Sequence, residues 1–325
     1  MKINFFEYTK FLACPECRKP IEFISNAYYC NNCKKNYPII DNIPRFIEIK
    51  DDLLSKAKAH WEDSPNFQYE AKSELYTKEY YEEQDKWRKN DIDPFCMKEY
   101  KFNEIKDKVI LDIGCGSGWV VKQAAKNGAI VIGVDFAEKA CISSRKALDT
   151  YSLNGLIIQA DAQHLPIKDE IIDRIFSIGV LHHIPKTELG IEEAFRTLKK
   201  KGTGFISLYG KLFFFNKLIF PVTQFLLKIL LKAPKVRDGI QNTTDYDEFY
   251  RFMDGATNPI GRWYTNEQLI QMFHKFKILS ISKSHFPLRY LNLFGIPLKK
   301  LIPKFIHIIL ENNFGMMRNI QFIKH

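Results

Sequence analysis

Two groups of residues have types and spacings that could do chemistry. Cys14-Pro-Glu-Cys17 and Cys30-Asn-Asn-Cys33 are two C-x-x-C knuckles with 12 residues between them. Such pairs can present four thiolates in a closed tetrahedron, the arrangement of a structural Zn2+ site. A redox role is the alternative, and the doubled knuckle argues against it. The second group is Asp112-Ile-Gly-Cys-Gly-Ser-Gly118, which follows the apolar run Val109–Ile113. Gly114, Gly116 and Gly118 permit a sharp turn and bring bare backbone amides close to a ligand. A helix that starts there adds the positive end of its dipole. The dinucleotide fingerprint G-x-G-x-x-G needs a third glycine where Trp119 stands, so a pyrophosphate ligand is disfavoured. A carboxylate at Asp112 suits a cationic amino-acid group and would repel a pyrophosphate.

Two further acids follow apolar runs. Asp135, with Phe136 beside it, is placed to accept hydrogen bonds from two ribose hydroxyls. Asp161-Ala162 is placed to meet an adenine edge. Any one of these acids also fits a helix N-cap or a turn. Three of them together with the glycines point to a nucleoside-like ligand. His182 and His183 follow a fourth apolar run, and an imidazole there could serve as a base, since it titrates near neutral pH. The alternative is that His-His-Ile-Pro shapes the loop. Trp61, Tyr81 and Arg88 are candidates for covering the cofactor or the substrate, against plain packing of an N-terminal helix.

The elements that must position these residues alternate from Lys108 onward. Val109–Ile113, Ala129–Val134, Leu156–Gln159, Ile171–Ile178 and Thr203–Tyr209 read as buried strands. The stretches 119–127, 138–150 and 187–200 read as helices, with Gly128 and Gly202 as stops. A helix over 265–274 and last strands at 277–283 and 319–324 complete the pattern. Strands alternating with helices imply a parallel sheet covered on both faces. The expected class is α/β: a Rossmann-like seven-stranded sheet with helices on both faces, plus a small N-terminal zinc ribbon. The expected divisions are a ribbon over 1–48, a helical lid over 49–107 and a cofactor-binding domain over 108–325. Apolar insertions interrupt that domain near 211–255 and 286–315.

As a set, these motifs resemble the class I S-adenosylmethionine (SAM)-dependent methyltransferases. The matching residues are Asp112–Gly118, Gly133-Val-Asp135, Asp161-Ala-Gln163 and Ile172–Pro185. The resemblance implies a sheet whose last pair is an antiparallel hairpin. It also implies that Asp112 and the glycines hold the methionine part of SAM, Asp135 the ribose, and Asp161 and Ala162 the adenine. Ser177 to Val180 would line the methionine side. His60–Pro65, Tyr80–Glu83 with Arg88, and Asp254–Ile260 resemble the lid and late loop of one subgroup, with no single substrate implied. The stretch through Tyr37–Pro44 resembles the zinc ribbon of the small subunit that activates several RNA and protein methyltransferases.

Charge and hydropathy narrow the acceptor less. The chain has a net charge of +10; residues 1–200 hold 30 basic against 31 acidic side chains, and residues 201–325 hold 18 against 7. The basic, apolar segments 212–231 and 291–310 suit a greasy acceptor pocket, contact with a membrane surface or another subunit. The longest uncharged run within these segments, Leu218–Leu227, is too short to span a bilayer. The leading expectation is an enzyme that methylates a small or lipid-like acceptor. RNA as acceptor and a non-catalytic scaffold are the alternatives. With no secretory signal pattern in the sequence, a cytoplasmic location is expected, peripheral to a membrane if the insertions touch lipid.

Overall fold

The computed structural model describes residues 3–49, 52–63, 71–92, 97–211, 219–222, 224–225, 248, 251, 254–255, 257–286, 292–293 and 296–325. The first apolar insertion and Cys96 lie largely or wholly outside these residues.

The chain opens with a short helix α1 (Phe5–Tyr8) and an antiparallel sheet. Its strands are β1 (Glu22–Ile24), β2 (Ala27–Cys30), β3 (Lys35–Ile40) and β4 (Ile43–Pro44). Helices α2 (Asp52–Asp63) and α3 (Lys78–Trp87) follow. Then come β5 (Val109–Ile113), α4 (Trp119–Lys126), β6 (Ile130–Asp135), α5 (Glu138–Thr150), β7 (Leu156–Gln159), β8 (Ile172–Ile178), α6 (Thr187–Thr197) and β9 (Leu198–Tyr209). The chain ends with α7 (Asn266–Met272), β10 (Phe276–Ser284), a two-residue hairpin of β11 (Asn292–Leu293) and β12 (Ile296–Pro297), α8 (Leu298–Leu301), α9 (Lys304–Phe314) and β13 (Met317–Lys324).

Seven strands form one sheet in the order β10-β13-β9-β8-β5-β6-β7. The five from β5 to β9 are parallel to their neighbours, and β13 runs antiparallel between β9 and β10. The final antiparallel pair is therefore present, although α9 lies between its strands in sequence, so it is not a tight hairpin. Strand order reverses direction between β5 and β8. The crevice beyond the carboxyl ends of those two strands is where an open α/β sheet binds ligands.

All five residues of β5 are buried, as a central parallel strand requires. Its alternate side chains enter two cores. Leu111 and Ile113 pack on one face with Ile132, Val134 and Ile158. Ile110 packs on the other with Val131, Phe176, Phe205 and Trp119. The first core runs without a break into the ribbon through Tyr28, Tyr37 and Phe46. Arg18 reinforces this contact with paired 2.9 Å hydrogen bonds to the Glu193 carboxylate on α6. Beyond β4, Arg45 bridges Gln159 in parallel and the Phe46 amide donates to the Gln159 carbonyl at 2.8 Å. The ribbon segment thus runs along the outer edge of β7.

One sequence expectation fails. The helix predicted over 187–200 ends at Thr197, and Leu198 already pairs with Ile172 of β8. Lys199 to Gly202 bulge out of the ladder before Thr203 pairs with Arg174. Lys199 meets Asp173 at 2.8 Å, so a lysine run that reads as helix is used as a strand bulge. Gly202 stops nothing; a side chain there would strike Leu198.

Candidate active site

The turn after β5 is held by its neighbour β6: the Gly114 and Cys115 amides donate to the Val134 carbonyl at 2.7 and 3.0 Å. Gly114, Gly116 and Gly118 all take positive φ, at 78°, 53° and 83°. At Gly114 an added Cβ would lie 2.3 Å from a Val180 methyl, so the β5 and β8 loops touch only because this side chain is absent. At Gly116 an added Cβ would meet nothing within 4 Å, which leaves its backbone open toward the crevice.

A pocket opens there. Of the predicted site residues, Trp61, Arg88, Asp112, Gly114, Gly116, Asp135, Phe136, Asp161, Ala162, Val180 and His183 line it. The three acids do line one wall. Asp112 is buried, and burial, reinforced by the neighbouring Asp135 carboxylate, pushes its pKa up to about 8; Arg88 opposes the rise. Burial also raises Asp135, against the backbone amides of Ala137 and Gly116 that it accepts at 3.0 and 2.8 Å. Asp161 is oriented by its own turn, accepting from the Gln163 amide at 2.9 Å and from the Gln163 side chain. Ionising these buried carboxyls is costly, and Arg88 offsets that only in part. A ligand with an ammonium group near Asp112 and hydroxyls near Asp135 would offset that cost, so the wall fits SAM chemically.

Four predicted residues stand back from the pocket. Gly118 is the N-cap of α4, packed against Ser144. Ser177 is buried inside β8. Tyr81 is wholly buried and donates to the Ser143 carbonyl at 2.7 Å, fastening α3 to α5. Its neighbour Tyr80 lines the pocket instead, together with Tyr76. His182 is fully buried with its ring centroid 3.9 Å from that of Tyr209, and burial drives its pKa well below the usual imidazole value.

Helix α2 roofs the pocket. The Glu62 carboxylate accepts from the Glu138 and Lys139 amides at the start of α5. Burial alone would raise its pKa, but those amides and Lys58 hold it below the usual range. Trp61 meets His183 edge-on with centroids 5.0 Å apart, and His60 Nδ1 lies 2.8 Å from the Thr257 hydroxyl. Residues 257–264 therefore pack on both the roof and the β8 loop. Arg262 donates through its amide to the His182 carbonyl at 3.1 Å and through its guanidinium to the Ile184 carbonyl at 2.7 Å. Asp254 and Asn258, which contact His183, belong to the late loop that the sequence marked only by resemblance, and Tyr209, which contacts it too, was not picked out.

In the ribbon, the four sulfurs of Cys14, Cys17, Cys30 and Cys33 lie within 4.8 Å of one another. The Cys14–Cys33 and Cys17–Cys30 separations are 3.9 and 3.5 Å. A tetrahedral zinc with bonds of about 2.3 Å has sulfur–sulfur edges of roughly 3.8 Å, so the quartet fits that ion. Cys115 and Cys141 are buried free thiols. Among the described residues, no helix is long and apolar enough to cross a membrane. On α9, Phe305 and Ile309 are exposed.

The sheet order and the glycine turn with its acids define a class I methyltransferase fold. Residues 111–206 match the family model described as a methyltransferase domain. A ubiquinone biosynthesis O-methyltransferase of Glaesserella parasuis is 33% identical over 138 residues, covering 41% of this chain and 58% of that protein. This chain thus spans less than two thirds of that relative's length. An uncharacterized chloroplastic methyltransferase of Arabidopsis thaliana is 24% identical over 222 residues, covering 60% of this chain and 61% of its own. Among solved structures, a complex of the Haloferax volcanii Trm112 methyltransferase activator with a putative methyltransferase aligns at 13% identity and a TM-score of 0.48. It covers 86% of this chain and all of that one.

Proposed function

We propose that the chain is a SAM-dependent methyltransferase acting on oxygen in a small-molecule acceptor. The observation that carries this reading is the acid-lined pocket at the β5–β8 switch point, inside the stretch that matches the methyltransferase-domain model. Asp112 with Gly114 and Gly116 would hold the amino-acid part of SAM, Asp135 the ribose, and Asp161 and Ala162 the adenine. Bound there, SAM supplies an electrophilic methyl group on a sulfonium. The protein's part is to align an acceptor and exclude water, and the Trp61 roof and Val180 are suited to that. The O-methyltransferase name of the Glaesserella relative supports oxygen as the acceptor atom. The cysteine quartet would hold a structural zinc that keeps the ribbon folded against the sheet.

One experiment tests donor and metal together. The full chain, purified without added metal, should carry one zinc by metal analysis. It should bind S-adenosylhomocysteine in calorimetry, and Asp135→Ala should weaken that binding at least about tenfold, the loss expected for a buried charged hydrogen-bonding partner. No heat of binding by the wild-type chain sinks the methyltransferase reading; no zinc sinks the metal assignment.

A further inference from the structure

The chain between β10 and β13 leaves the sheet at a defined place. Ser284 at the end of β10 pairs with Met317 at the start of β13, and Met317 pairs with Tyr209 at the carboxyl end of β9. Strand β9 is parallel to β8, so this is the end of the sheet at which the pocket opens. The first apolar insertion departs from the same end. There the Gly210 amide donates to the Met316 carbonyl at 2.7 Å, and Arg318 donates to the Lys211 carbonyl at 2.9 Å.

Helix α9 is joined to this end by one face. Glu311 is buried and accepts from the Phe286 amide at 3.0 Å, His307 lies 3.4 Å from Glu311, and Lys283 donates to the Asn313 carbonyl at 2.9 Å. The opposite face is apolar and open. Phe305 is 63% exposed and Ile309, one turn on, 52% exposed; Ile308 beside them and Leu301 at the end of α8 are exposed as well. Apolar side chains grouped in this way mark a surface that meets a partner. Charge indicates which partner. Lys300 and Lys304 are exposed, with Lys304 one turn before Ile308, and the one acid of α9, Glu311, is turned inward.

We propose that the outer face of α8 and α9 docks on an anionic lipid bilayer. Phe305, Ile308 and Ile309 enter the boundary between headgroups and acyl chains, and Lys300 and Lys304 reach lipid phosphates along their own apolar stems. A neutral apolar partner would leave the two lysines unmatched, and a nucleic acid would leave the apolar stripe in water. The docking stands apart from the methyltransferase reading of the pocket, but its consequence for the acceptor rests on that reading. A bilayer held by α9 meets the protein beside the end of the sheet where the pocket opens. The acceptor class is accordingly an apolar hydroxyl compound dissolved in the membrane, rather than one free in water.

Flotation of the full chain with vesicles tests the docking. The chain should float with vesicles of phosphatidylcholine and phosphatidylglycerol in equal parts, and less as salt screens the surface charge. The double variant Phe305→Ser with Ile309→Ser should lose at least about tenfold in affinity, as removal of two inserted apolar side chains implies. Lys300→Gln with Lys304→Gln should lose about tenfold on the mixed vesicles and almost nothing on phosphatidylcholine alone. Ile24→Ser serves as the control. Ile24 is 49% exposed on β1, in the ribbon that borders β7, at the opposite edge of the sheet from β10. Its loss should leave flotation unchanged. Absence of flotation with mixed vesicles overturns the proposal, as does equal affinity for phosphatidylcholine alone or an undiminished affinity in the Phe305→Ser, Ile309→Ser chain. A dimer in sedimentation that this same variant separates also overturns it, and gives the face to a second copy of the chain. S-adenosylhomocysteine calorimetry on the same samples shows that the variants are folded. A wild-type chain that floats but binds no S-adenosylhomocysteine supports the docking and sinks only the methyltransferase reading.

Discussion

The two halves of the pocket are built differently. On the side proposed for the methyl donor, each polar group sits at the end of a strand of one sheet: Asp112 on β5, Asp135 on β6 and Asp161 just beyond β7. Backbone register places them, and little else is needed. On the side that this proposal leaves for the acceptor, Trp61 of α2 and His183 of the β8 loop line the pocket, and His60, Asp254 and Asn258 pack behind them, the last two from a segment far along the chain. Side-chain hydrogen bonds hold that half together. A sheet end fixes ligand geometry through many backbone bonds, whereas a cluster of loops can be re-made residue by residue. The donor half is therefore suited to one constant ligand, and the acceptor half is where substrate choice can vary.

Substitutions should expose this division. The largest effect is expected at Gly114→Val. The new side chain would overlap Val180 and would sit on a backbone with φ of 78°, so S-adenosylhomocysteine affinity should fall about a hundredfold or more in calorimetry. Retained affinity would mean that the two loops do not need their close contact.

A smaller effect is expected from pH. Asp112 has its value raised to about 8, far above the ordinary aspartate value of about 3.9. The folded chain therefore holds a proton that the unfolded chain has released between those limits. Its contribution to the stability of the ligand-free protein is present below about pH 4 and is lost as pH rises toward 8. A ligand ammonium prefers the ionised carboxylate, so S-adenosylhomocysteine affinity should rise at least about tenfold from pH 6 to pH 8. Affinity that stays level or falls over that range would remove Asp112 from the ammonium site.

The smallest donor-side effect should come from Trp61→Ala. It removes the roof over His183 and leaves the sheet ends intact, so S-adenosylhomocysteine affinity should change by less than about threefold. A loss as large as that of Gly114→Val would show that roof and sheet act as one unit and would break the comparison.

The same division explains what the sequence disclosed. The donor residues announce themselves because each follows an apolar run directly, and the strand ends then bring them together without further information. The acceptor cluster has no such local sign: His60 and Thr257 are 197 residues apart, and His183 and Ile260 are 77 apart. Tyr80 and Tyr81 show a subtler limit. Successive helical residues point about 100° apart, so one lines the pocket while the other packs between helices, and only the docked orientation of α3 decides which. Lys199 to Lys201 misled for a similar reason. Their helix-favouring composition is overridden by the pairing of Leu198 with Ile172, a partner the local sequence does not reveal.

The path of Arg45 and Phe46 along β7 bears on how the chain behaves among other proteins. An uncovered edge strand offers unpaired amides and carbonyls to any passing extended segment, and it invites aggregation. Here the Phe46 amide already occupies the Gln159 carbonyl, and Arg45 caps the Gln159 side chain at 2.8 Å. The molecule thus guards the carboxyl end of that border itself, and a foreign segment must displace Arg45 and Phe46 before it can pair with Gln159.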